Sequence, residues 1–322
     1  MGAGFRTAAA VLLVLVLMAM VGGGPTRAAA KLKVAVALPG IITDKGFNQS
    51  AYEALKRMEK ELGAETAYTE RVAQPDQVEV MSDYARRGFN LVVGHGGEFD
   101  AAGKQVAERY PKTSVVVTAG TVTGPNLASA RVNFLQMGFL GGVVAGTMTR
   151  SNRIAVIIAQ KFKSTDEMVS GFTQGAKWAN PKVEILSSYT GTWDDVGKAK
   201  EATLAHIAKG ADVIWPILDH ALIGVYDAAK EKNAFAIGFT GDQLDMAPNT
   251  VLTSALQNVG AVLFEMAKLV QSGKFEGKVY VFGLDTPGVT GLGRWNPVVP
   301  QTVRDKAEEA QKLLLAGKII LK

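Results

Sequence analysis

From residue 33 to residue 282 the chain repeats one unit, a short apolar run followed by an amphipathic stretch of helical period. Residues 33–38 (KVAVAL) are β-rich and end at Pro39-Gly40. Residues 47–62 then carry Ala51, Ala54, Leu55, Met58 and Leu62 at the spacing of one helix face. The rhythm continues with strands at 64–69, 90–93 and 114–118, alternating with helices at 75–87 and 98–110. After a helix at 136–150 it restarts. Strands are expected at 153–158, 183–188, 211–215 and 235–239, with helices at 166–179, 194–209 and 220–232 between them. Strands joined by helices of 10–15 residues demand parallel sheets with right-handed crossovers. Runs such as RIAVII, apolar without alternation, fit sheets covered on both faces.

Two successive runs of this kind imply two α/β lobes, each a doubly wound parallel sheet. Residues 249–255, a helix at 257–272 and a strand at 278–282 are expected to cross back to the first lobe. The division read from this pattern is residues 31–135 with about 256–285 for one lobe, and 136–255 with about 286–322 for the other. Ligands of open parallel sheets lie beyond the carboxyl ends of the strands. Two facing sheets therefore place their strand-end loops on opposite walls of one cleft.

The ends and the composition narrow the function class. Arg6 precedes an apolar run over residues 8–21. Gly22 to Pro25 breaks it, and Ala28-Ala29-Ala30 supplies the small residues of a signal-peptidase site. The run of about 14 residues is short against the roughly 20 needed to span a bilayer. Residues 1–30 thus read as a cleavable leader and the periplasm as the destination. The chain has no cysteine, which excludes disulfides, thiolate chemistry and lipid attachment at a leader cysteine. Net charge is +5, or +3 without Arg6 and Arg27, and basic residues interleave with acidic ones, so nothing favours nucleic acid. His95, His206 and His220 are scattered and define no metal site. No GxSxG, HExxH or Walker A motif is present.

The strand-end loops carry the candidate site. Residues 39–50 deliver Phe47 for stacking and Asn48 for an amide contact at a helix start, roles that compete with a hydrophobic staple and an N-cap. Gly94-His95-Gly96-Gly97 lets a ligand approach backbone amides at Gly96, or is simply a tight turn. Trp193, Trp215 and Asp242 follow strands of the second run. The aromatics suit a flat ligand and Asp242 a pair of sugar hydroxyls; core packing and a turn role are the competing readings.

Several stretches, in order, resemble the basic membrane protein family of ABC-transporter substrate-binding proteins, which includes bacterial purine nucleoside receptors. They are DKGFNQSAYEAL, GFLGGVVAG, GFTQGAKWANPKVEI, GADVIW, IGFTGDQ, VLTSAL and Gly283-Leu284. The resemblance implies a type I periplasmic-binding-protein-like fold whose two lobes are joined by a hinge. It implies a protein without enzymatic activity or cofactor that captures a purine nucleoside or nucleobase for an ABC permease in the inner membrane; separately from the resemblance, a monomer is expected. The family's first-loop aromatic falls on Phe47, its strand-end aromatic on Trp215 and its ribose-binding aspartate on Asp242. Asp44 and Asn48 fall in the same first-loop signature. Where the family often has a lysine this chain has Gln257, and the family's glycine-rich stretch is replaced by Pro216-Ile217-Leu218-Asp219-His220. Both departures favour a free base or another flat heterocycle. A sugar receptor stacking on Trp193 and Trp215, or a nucleoside hydrolase using Asp44 and Asp242, are the alternatives.

Overall fold

The computed structural model describes Met1, residues 31–44 and residues 46–322; the expected leader lies outside the described residues. Residues 31–322 form two six-stranded sheets with helices on both faces. The first sheet contains β1 (Lys33–Ala37), β2 (Glu65–Thr69), β3 (Leu91–His95), β4 (Ser114–Thr118), β5 (Leu127–Val132) and β11 (Val279–Phe282). Its order is β11-β5-β4-β3-β1-β2. The second sheet contains β6 (Arg153–Ile158), β7 (Glu184–Tyr189), β8 (Val213–Ile217), β9 (Phe235–Thr240), β10 (Val251–Gln257) and β12 (Thr290–Leu292). Its order, β12-β10-β9-β8-β6-β7, repeats that of the first. All pairings are parallel except β10 with β12.

Burial on both faces explains the unbroken apolar strands. In β1, Val34 and Val36 enter one core cluster while Ala35 and Ala37 enter another, as the two-residue period of a strand requires. The first of these clusters receives α1 (Phe47–Leu62) and α8 (Val259–Gln271); the second receives α2 (Gln77–Arg86) and α3 (Asp100–Arg109). On the second sheet, α6 (Val196–Ala208) and α7 (Leu222–Glu231) cover one face. The other face carries α4 (Phe134–Met148) and α5 (Lys163–Ala179), with α9 (Gln301–Leu315) packed on α4. Arg131 of β5 reaches from the first sheet to Glu167 of α5 through two hydrogen bonds, the shorter 2.7 Å.

Three features depart from the sequence reading. Strand β10 pairs with β9, so residues 251–257 belong to the second sheet, and the chain returns to the first sheet only at α8. Strand β5 follows β4 without a helix, and strand β12 is three residues long, so neither fits a pattern of strands spaced by helices.

Helices α4 and α5 touch backbone to backbone. A methyl group on Gly142 would lie 2.1 Å from the Phe172 carbonyl oxygen, and one on Gly175 would lie 2.0 Å from that of Phe139. Gly138 and Gly171 are equally closed, against Met168 and Leu135. GFLGGVVAG is therefore a packing motif that lets two helices share a narrow layer. Gly142→Ala should destabilise the protein by about 1–3 kcal/mol in denaturant titrations, overriding alanine's better helix propensity. The same change at exposed Gly197 in α6, where the nearest atom is 3.4 Å away, should be neutral or stabilising.

Candidate functional site

The repeated strand order fixes where a ligand can lie. In each sheet the chain reverses its direction of growth between the first and third strands, β1/β3 and β6/β8, and loops part there at the carboxyl ends. A cavity of about 990 Å³ opens at these points, walled by loops from both sheets. Of the residues expected in the site, Asp44, Phe47, Asn48, Gly96, Trp193 and Gln257 line it; Trp215 and Asp242 do not.

The first wall is an internally saturated network. Asp44 accepts from the backbone N–H groups of Gly46, Asn48 and Gln49 at 2.9–3.0 Å and from Asn48 Nδ2 at 2.8 Å. It thereby caps α1, and the Asn48 amide is held between Asp44 and the Gly40 N–H. Asn48 is 3% exposed and stiffens the loop more than it offers a free edge. Phe47, half-buried, stacks on the His95 ring with centroids 3.9 Å apart.

His95 has a defined proton register. Its Nε2 lies 3.0 Å from the Phe47 carbonyl oxygen, which can only accept, so Nε2 carries the proton. Thr118 Oγ1 accepts from the Gly96 N–H and donates to His95 Nδ1. The Gly96 amide is thus spent on Thr118. Gly96 has φ of 123°, where a side chain would be strained. Burial depresses the imidazole pKa to about 4, against the hydrogen bond to Phe47 and the nearby Asp44, so the ring is neutral at pH 7.

The second wall is aromatic and acidic. Phe162, after β6, stacks with Trp193, after β7, at 6.4 Å and 14°. Phe162 was missed in the sequence, although it too follows a strand end. Asp219 lies two residues past β8, enclosed by protein but open to the cavity. Burial, reinforced by Asp44, Asp194 and Glu98, pushes its carboxyl up to about 8. Thr240 and Gln257, the last residues of β9 and β10, are 5% and 4% exposed. Thr240 Oγ1 and Gln257 Oε1 have no hydrogen-bond partner among the described residues. Among the described residues, five non-glycine residues have positive φ, and three of them, Arg71, Ala119 and Thr240, line this cavity; the others are asparagines, which tolerate it.

Trp215 lies elsewhere because β8 runs on for two residues past it, to Ile217, which does line the cavity. Trp215 shares a face of β8 with Val213 and Ile217, turned toward α5, and stacks on Phe172 at 4.9 Å. It is fully buried and its Nε1 finds no acceptor among the described residues. Asp242 is bound outward by Arg294, whose Nε and backbone N–H reach Oδ2 at 2.7 and 3.1 Å. Burial would raise its carboxyl pKa, but these bonds outweigh that and hold it below the usual range. The adjacent Gln243 is a buttress, accepting from Phe239 N–H and the Tyr226 hydroxyl. Asp44 and Asp242 do not meet: Asp44 lines the cavity and is bonded within its own loop, while Asp242 is held by Arg294 and does not line it.

His95 has a stability consequence. Because its folded pKa is below the unfolded value, its contribution is complete above pH 6.5 and is lost as pH falls toward 4. Asp219 acts with opposite sign across much of that window, so the readout is a difference between variants. The stability advantage of wild type over His95→Gln should shrink by about 3 kcal/mol between pH 7 and pH 4 in denaturant titrations. An unchanged difference would mean that burial does not depress the imidazole pKa.

Residues 31–321 match the family described as Bmp: ABC transporter substrate-binding protein PnrA-like. The transcriptional activator protein med of Bacillus subtilis is 32% identical over 298 residues, covering 92% of this chain and 93% of that one. The ABC transporter nucleoside-binding protein BmpA of Lactococcus lactis is 27% identical, covering 86% and 85%. A solved structure of a transcriptional activator of the comK gene from Bacillus halodurans superposes with a TM-score of 0.79 at 30% identity, over 89% of this chain and 99% of that one. The fold is that of the periplasmic-binding proteins, and the family is one of substrate-binding proteins rather than enzymes. The chain belongs to the Bmp family of PnrA-like ABC-transporter substrate-binding proteins.

Proposed function

We propose that this protein captures a purine nucleobase, or a closely related flat nitrogen heterocycle, in the cavity between its two sheets and passes it to an ABC permease. The observation that carries the reading is the Phe47 ring, held on the cavity by its stack on His95, with the Phe162–Trp193 pair on the other wall. Two aromatic surfaces on opposed walls suit a ring that stacks when the walls approach. The nucleoside-binding name of the Lactococcus relative agrees with this ligand class.

A free base fits better than a nucleoside. Asp242, the residue assigned to the ribose, is bound to Arg294 away from the cavity, and Gln257 brings no charge. The lobes would be residues 31–135 with about 256–285, and 136–255 with about 286–322, a division that sheet membership supports to within a few residues. The connections from β5 to α4, from β10 to α8 and from β11 to β12 join the sheets and would form the hinge. Ligand would favour the closed form only as far as it binds that form more tightly. The protein would act as a monomer in the periplasm after removal of residues 1–30. No helix of the described residues is long and apolar enough to cross a membrane.

A thermal-shift panel of adenine, guanine, hypoxanthine, adenosine, inosine, uridine and monosaccharides tests the ligand class. Ligand at about 100 times its dissociation constant adds roughly 2.7 kcal/mol and raises the midpoint by several degrees. Bases should give the largest shifts; a response confined to sugars would overturn the heterocycle reading. Phe47→Ala should weaken binding of the best base by about 1–3 kcal/mol in calorimetry, whereas Trp215→Phe should leave it within a few tenths. Equal losses in both would contradict the assignment of Phe47 as the stacking surface.

A further inference from the structure

We infer that Asp219, Thr240 and Gln257, at the ends of β8, β9 and β10, form a subsite for a cationic, hydrogen-donating nitrogen, which among flat nitrogen heterocycles selects a basic one over the neutral purine bases. Asp219 is the anchor. Its carboxyl opens into the cavity and has no hydrogen-bond or ion-pair partner among the described residues, unlike Asp44 and Asp100, which are both bonded within their own wall. Thr240 and Gln257 are independent pointers. Each lines the same cavity, is at least nine-tenths buried and keeps an unpaired polar oxygen, a costly arrangement unless something bonds there. Thr240 also holds φ at 72°, a conformation that β-branched residues rarely adopt and that clusters at ligand-binding sites.

The chemistry of the three groups selects the occupant. Once ionised by an incoming cation, the Asp219 carboxylate only accepts, the Gln257 oxygen accepts, and the Thr240 hydroxyl can do so. An amidinium, a guanidinium or a protonated amino-heterocycle presents several N–H donors in one plane and matches them. The surrounding charge favours a cation. The carboxylates acting on Asp219 come from three separate loops, Asp44 after β1, Glu98 after β3 and Asp194 after β7. His220 beside it and Arg71 and Lys163 also line the cavity, but none of these offsets the acidic groups at Asp219. At neutral pH the Asp219 carboxyl is largely protonated. A cation that binds it displaces that proton to solvent, so capture releases up to one proton per ligand.

The inference rests on the proposed ligand cavity and is tested by calorimetry with benzamidine and benzamide on the full mature protein. The two share ring and size, but only benzamidine is a cation, and it stays one from pH 6 to pH 8. Benzamidine should bind at least tenfold more tightly than benzamide at pH 8. Its affinity should climb by about tenfold per pH unit from pH 6 toward 8, with a proton released at the lower pH in buffers of different ionisation enthalpy. In Asp219→Asn both the preference and the pH dependence should vanish. Equal binding of the two compounds, tighter benzamide, or an unchanged preference in the variant would overturn the subsite. Purine binding with no response to benzamidine would overturn it too, while leaving the heterocycle receptor intact. Silence toward both classes would end both readings.

Discussion

A parallel strand cannot return to its own sheet without a crossover, and this rule sets the whole molecule. Every βα unit must leave a loop at the carboxyl end of its strand, and both sheets lay their units in the same order. The reversal of direction between β1 and β3, and again between β6 and β8, opens one gap in each row of loops. The cavity lies where the two gaps meet. The glycine contact between α4 and α5 keeps the helical layer behind the second sheet thin. The pocket is thus a consequence of chain direction before it is a matter of side chains.

The two walls do different work. On the first, the polar groups of Asp44, Asn48, His95 and Thr118 are largely spent on one another, so Phe47 is presented by a rigid frame with its geometry set in advance. Preorganisation of that kind lowers the entropy lost on binding. The second wall is the reverse. Asp219, Thr240 and Gln257 keep hydrogen-bonding capacity that the described residues leave unfilled. One surface supplies shape and the other supplies demand.

Most of the architecture could be read from periodicity, because helices and buried strands differ in period and many of the breaks carried Gly or Pro. Helix α1 and strands β4 and β6 fall at the residues expected. What the pattern could not convey was pairing. Strand β5 has no helix before it, and β10 joins the second sheet through contacts that no local signal encodes. The site was half legible for a similar reason. Strand-end position located Phe47, Asn48 and Trp193, and the same rule would have found Phe162. Trp215 misled because two residues decide whether a side chain clears the sheet or turns into the helices, and strand ends cannot be read that finely. Asp242 misled because its partner, Arg294, is 52 residues away in sequence. Thr240 gave no signal at all, since an unusual backbone angle leaves no trace in composition.

That backbone angle bears on how such a protein can change. Arg71, Ala119 and Thr240 each hold a conformation that glycine would adopt without cost, at roughly 1–3 kcal/mol of strain apiece. Selection or engineering for heat resistance would find glycine at these three positions among the readiest gains. Each such gain would strip a side chain from the rim of the cavity and loosen the loop that carries it. Relief of backbone strain and the lining of the cavity therefore compete at the same few residues.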